Sequence, residues 1–160
     1  MYKLFLSVLV MGFLAAGPVL AKEETPAAKV NDPLVTITEA WVREVPPGVR
    51  MSAAYMTITN ATDHEVVLVG ASSPEFGKVE LHNTVVEEGV AKMIPQPQIA
   101  IPAKESVAFK PGGLHIMLLE GQKNIVAGNK ITLVLDFKEN QQSVVVEVKS
   151  ALPDKPAAGH

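Results

Sequence analysis

The chain has 160 residues, 48% of them hydrophobic and 5% aromatic, with 14 basic against 17 acidic side chains and a net charge of −3. No basic stripe runs through it, so nucleic acid and anionic membrane surfaces are not expected partners. Cysteine is absent, which excludes disulfides, thiolate metal sites and cysteine nucleophiles, and leaves no thiol for a lipid anchor.

Residues 1–21, "MYKLFLSVLVMGFLAAGPVLA", combine one positive charge (Lys3), an apolar run from Leu4 to Ala16 and a small-residue end at Val19-Leu20-Ala21. That is the layout of a secretory signal peptide cleaved after Ala21. The apolar run is shorter than the roughly 20 residues that span a bilayer, so no stable membrane anchor is expected. Loss of Lys3 leaves 13 basic and 17 acidic residues, a net charge of −4 on the exported protein that this layout predicts. Residues 22–33 are charged and aperiodic and read as a flexible lead-in, as does the tail at 151–160. Residues 34–150 read as one domain with no internal repeat, and a monomer is the expected state.

Within that domain nearly every segment alternates or is rich in β-branched residues. "LVTITEAWVRE" sets Val35 and Ile37 opposite Thr36 and Thr38, with Trp41 expected as a core anchor. "VPPG" is turn chemistry. "SAAYMTITN" follows, with Met51 and Met56 expected to fill the core. After the turn "NATDHE", in which His64 reads as solvated, come "EVVLVGAS", "GKVELHNTVV", the turn "EEG" and "VAKM". "QIAIPA", "SVAFKPGG" and "LHIMLL" precede a possible short helical turn near "GQKNIVAGN". "KITLVLDFKE" and "SVVVEVKS" then close the domain through "NQQ". Turn signals every 8–12 residues without helical period predict an all-β, antiparallel sandwich or small barrel.

Two strands carry histidines. Side chains alternate between faces along a strand. His115 and Met117 therefore share one face of "LHIMLL", with Leu114, Ile116 and Leu118 on the other. In "KVELHNTVV", His82 shares the polar face with Glu80 and Thr84 and is expected to be accessible. A hairpin at "EEG" brings Met93 back along His82's strand. His82, Met93, His115 and Met117 follow the pattern H-x10-M-x21-H-x-M.

These residues, with "AWVREVPPG", "AAYMTITN", "VELHNT", "KPGGLHIML" and "GNKITLVLDF" around them, resemble the PCuAC family of periplasmic copper chaperones over about residues 34–149. The resemblance implies a cupredoxin-like Greek-key β-sandwich that binds one Cu(I) per domain through His82, Met93, His115 and Met117. It also implies delivery toward the dinuclear copper centre of cytochrome c oxidase. The implied partners are the subunit holding that centre and a thioredoxin-like assembly protein.

The chemistry of the donor set agrees. Thioethers are soft and neutral and favour Cu(I) over hard cations, while zinc prefers imidazole, thiolate or carboxylate. Neutral ligands leave the complex a net charge of +1, so the ion can depart. A blue-copper electron carrier requires a cysteine thiolate, which this chain lacks. Sequestration of copper in the periplasm uses the same ligands and is the alternative function. A metal-free interaction domain with structural histidines is a third reading. No enzyme is expected: "KPGGLH" lacks the lysine and helix of a phosphate loop, and Asp63 with His64 in one turn makes no catalytic pair.

Overall fold

The computed structural model describes residues 33–150. The expected signal peptide at 1–21 and the tail at 151–160 with His160 lie outside the described residues. Ten strands account for the fold: β1 (Val35–Arg43), β2 (Ser52–Asn60), β3 (Val66–Ser72), β4 (Phe76–Glu87), β5 (Val90–Pro95), β6 (Ile99–Ile101), β7 (Ser106–Phe109), β8 (Leu114–Gly121), β9 (Lys130–Phe137) and β10 (Gln141–Lys149). Every alternating segment of the sequence has become a strand. The segment "GQKNIVAGN" forms no helix. It is a loop closed by a turn from Val126 to Asn129, with Gly128 at φ 86°.

The hydrogen-bonded order is β5-β4-β8-β2-β1-β10-β9-β3-β6. β2 is shared along its length: Ser52–Ala54 pair with β8, and Met56–Thr59 pair with β7. The inward faces of β2, β4 and β8 contribute Ala54, Met56, Ile58, Leu81, Ile116 and Leu118 to one core. Val66 and Leu68 of β3, Leu133 and Leu135 of β9, and Val146 and Val148 of β10 join the same core. Two faces meeting in one apolar core make the expected cupredoxin-like sandwich. The ladders are antiparallel with one exception. β1 and β10 run parallel at Trp41–Arg43 and Glu147–Lys149, so the sheet is not wholly antiparallel. A parallel pair needs a long crossover, and here the whole intervening domain supplies it.

Trp41 is not a core anchor. Thr38 pairs with Thr57 but Trp41 pairs with Tyr55, so β1 carries one extra residue, and Glu39 sits at φ 53°. This bulge resets the alternation: Val42 is fully buried, while Trp41 faces outward and leans on Tyr55 with ring centroids 4.7 Å apart.

At the end of β2, buried Asn60 ties down the turn that follows. Its Nδ2 donates to the carbonyls of His64 and Ile101 at 2.8 and 2.9 Å, and its Oδ1 accepts from the Thr62 amide and hydroxyl.

The β4–β5 hairpin places one strand of the site. Glu87 pairs with Val90 around Glu88 and Gly89, both at positive φ (51° and 81°), which is the two-residue turn whose twist suits a hairpin. A Cβ on Gly89 would meet nothing within 4 Å, so only backbone strain opposes substitution. Gly89→Ala is expected to cost about 1 kcal/mol, seen as a lower urea midpoint with an unchanged slope.

Candidate metal site

On the β4–β8 ladder His82 stands directly opposite His115, and Glu80 opposite Met117. Opposite residues of an antiparallel pair share a face. One position along, Leu81, Ile116 and Leu118 point into the core, so the alternation read from the sequence holds on both strands. β5 brings Met93 opposite Thr84, diagonal to His82. The four side chains thus stand on one sheet face, drawn from three adjacent strands. Their exposure differs from expectation for His82. Its side chain is only 13% exposed, and His115 is also buried, whereas Met93 is 60% exposed.

The imidazole rings lie 5.8 Å apart between centroids, at 66°. His115 Nδ1 is 2.9 Å from the Gly113 carbonyl oxygen. A carbonyl can only accept, which assigns the proton to Nδ1 and the lone pair to Nε2. The turn of "KPGG" holds that carbonyl in place. Gly112 takes φ 80°, the Gly113 amide donates to Lys110 O at 3.0 Å, and the Lys110 amide donates to Leu114 O at 2.8 Å.

His82 is held from its other nitrogen. Nε2 lies 3.1 Å from Glu80 Oε2, and Glu80 Oε1 is 2.7 Å from Lys78 Nζ. Lys78, Glu80 and His82 alternate along β4 and so share a face. The Lys78 ammonium, with His82 in support, holds the Glu80 carboxyl below the usual carboxylate range. Glu80 is therefore an acceptor, His82 Nε2 the donor, and Nδ1 carries the free lone pair.

His82 Nδ1 and His115 Nε2 are both buried with no hydrogen-bond partner. Leaving one such buried group unsatisfied costs about 1–3 kcal/mol, so a cross-strand pair of them calls for a ligand. A ring whose second nitrogen is pinned by a carboxylate or a backbone carbonyl has the support that metal-bound histidines carry. Among the described residues no three His, Cys, Asp or Glu side chains gather into a metal-holding cluster. The further donors on the same face are the thioethers of Met93 and Met117.

Met93, His115 and Met117 line one open cavity of about 330 Å³, with Tyr55 and Thr84 in its walls. Met51, expected in the core, lines it too and is 50% exposed. Only Met56 of that pair fills the core, at 1% exposure. His64 is exposed and lies 3.4 Å from Glu139, away from this face. Asp63 pairs with Lys104 at 2.8 Å rather than with His64, and that ammonium lowers its pKa.

The fold and this face define a cupredoxin-like sandwich of the PCuAC type. The chain belongs to the LpqE-like family, described as "Putative lipoprotein LpqE-like", whose model matches residues 35–149. It is 33% identical over 131 residues to "Putative lipoprotein Lxx21020" of Leifsonia xyli, covering 81% of this chain and 76% of that one. It is also 33% identical over 115 residues to "Uncharacterized protein RP573" of Rickettsia prowazekii, covering 69% of this chain but 64% of that one, just under two thirds. Among solved structures, apo-DR1885 from Deinococcus radiodurans is 30% identical with a TM-score of 0.60, covering 89% of this chain and 98% of that one. Its Cu(I) form matches at 29% identity and a TM-score of 0.54, covering 74% and 78%. The copper-bound PCuAC domain of PmoF2, at 23% identity, a TM-score of 0.63 and coverage of 74% and 94%, shares the fold.

Proposed function

We propose that this protein is an exported copper-binding metallochaperone that holds one Cu(I) through His82, Met93, His115 and Met117. The observation that carries this reading is the cross-strand pair of buried, unpartnered imidazole nitrogens on the face that also bears both thioethers. The Cu(I)-loaded relative at 29% identity supports the choice of ion. Copper is cargo here, and a donor set without formal charge suits release. The acceptor we propose is the copper centre of cytochrome c oxidase, reached directly or with a thioredoxin-like assembly protein.

Anaerobic titration with Cu(I) against a competing chelator tests the binding. One equivalent is expected to bind, and Met117→Ala is expected to weaken it; undiminished binding by that variant would contradict the ligand set. The role of Glu80 gives a finer expectation. Glu80→Gln keeps an acceptor oxygen but loses the charge that fixes His82's tautomer, and the loss of such a supporting partner weakens metal binding by about 10-fold or more. The same titration reads it.

Delivery and sequestration share these ligands and part in the cell. A strain lacking the protein, grown with scarce copper, is expected to lose oxidase activity. Normal oxidase with heightened copper sensitivity would instead favour sequestration.

A further inference from the structure

Met51 has no place in the ligand pattern, yet the fold sets it at the site. Ser52 lies opposite Leu118 and Ala53 opposite Met117. Met51, two residues before Ala53, therefore faces the same way as Ala53 and lies diagonal to Met117. The residue between them on that face, Ala53, ends at Cβ. Met51 lines the same cavity as Met93, Met117 and His115, and half of it is exposed. A lone exposed methionine needs no explanation. Three thioethers on one cavity that His115, with its unpartnered Nε2, also lines do.

We propose that Met51 is an exchange ligand, a third sulfur that takes Cu(I) transiently as the ion passes between the buried nitrogens and an acceptor. The proposal rests on the Cu(I) reading above. The site is graded from inside to outside: His82 Nδ1 and His115 Nε2 are buried, whereas Met93 and Met51 are open to solvent. His82 is not part of the cavity lining, so an ion drawn outward leaves His82 first. In that step a bond from Met51 sulfur to copper forms and the bond from His82 Nδ1 breaks. Both donors are neutral, so copper stays monovalent, the charge stays +1, and no electron or proton moves. The unbranched, half-exposed side chain has the torsional freedom for this motion. An incoming donor on the same sheet spares the ion a poorly coordinated intermediate.

The test uses the Cu(I)-loaded mature protein and Met51→Leu, which keeps the bulk and removes the sulfur. The variant is expected to bind one equivalent with affinity within about twofold of wild type, while transfer to a chromophoric Cu(I) chelator in stopped flow slows about tenfold. With ¹³C-methyl methionine, the Met51 methyl resonance is expected to shift on loading while that of core Met56 stays. A wild-type transfer rate in Met51→Leu overturns the proposal, as does a Met51 methyl indifferent to copper. Loss of tight binding in Met51→Leu overturns it too, because Met51 would then be a resident ligand. In each of these cases the four-ligand reading is judged separately, by whether wild type binds one Cu(I) and Met117→Ala binds it more weakly. Failure of wild type to bind Cu(I) removes both.

Discussion

Replacing His115 with leucine is expected to lower Cu(I) affinity by at least about 100-fold, beyond the 10- to 100-fold cost of losing a supporting partner, and to leave the apo-protein no less stable. The affinity loss follows from removing one of two buried, unpartnered nitrogens carried by residues that stand opposite each other on β4 and β8. The stability result follows from the same atom. In the apo-protein Nε2 is buried without a partner, a penalty of about 1–3 kcal/mol that leucine abolishes. Leucine also forfeits the Nδ1 bond to Gly113 O, worth about 1 kcal/mol. That carbonyl keeps its bond from the Thr84 amide at 3.0 Å, so the two terms roughly offset. A structural histidine would behave oppositely, its removal weakening the fold. Urea unfolding of the apo-protein and chelator competition with the loaded one separate the cases.

The second large effect lies on the other face of the same strand. Ile116 is fully buried between His115 and Met117 in sequence, opposite Leu81 on β4 and Ala54 on β2. Ile116→Ala leaves a cavity in a core that has no disulfide to brace it, at a cost of about 2–5 kcal/mol. Against a typical total of 5–15 kcal/mol that is a severe loss, read as a lower urea midpoint. The backbone that sets the cross-strand histidines is unchanged, so the folded variant should still bind copper. Cu(I) at a free concentration of about 100 times its dissociation constant should then restore about 2.7 kcal/mol. Equal midpoints with and without copper would mean that the site depends on the packing beneath it.

The strands were legible because each carries period-two alternation or a β-branched run between turn residues. The split of β8 into a core face and a site face could be read directly from "LHIMLL", since Leu114, Ile116 and Leu118 are all large and apolar. Met51 was not legible for the opposite reason. In "MSAAYM" the central residues are alanines on both faces, and alanine does not say which face is buried. Trp41 was misplaced because one extra residue at Glu39 reverses the alternation behind it. The bulge carries no glycine to announce it. The parallel seam of β1 and β10 joins segments about a hundred residues apart, and local periodicity carries no information about such pairing. The support given by Glu80 and Gly113 to the two rings also became visible only with coordinates, because it depends on which ring nitrogen each partner meets.

The most direct measurement is X-ray absorption at the copper edge of the anaerobically loaded protein, because it counts the neighbours of the ion by element. A shell of two nitrogens and two sulfurs around monovalent copper is the result expected from His82, Met93, His115 and Met117. A shell of nitrogen and oxygen alone, with no sulfur scatterer, would contradict it.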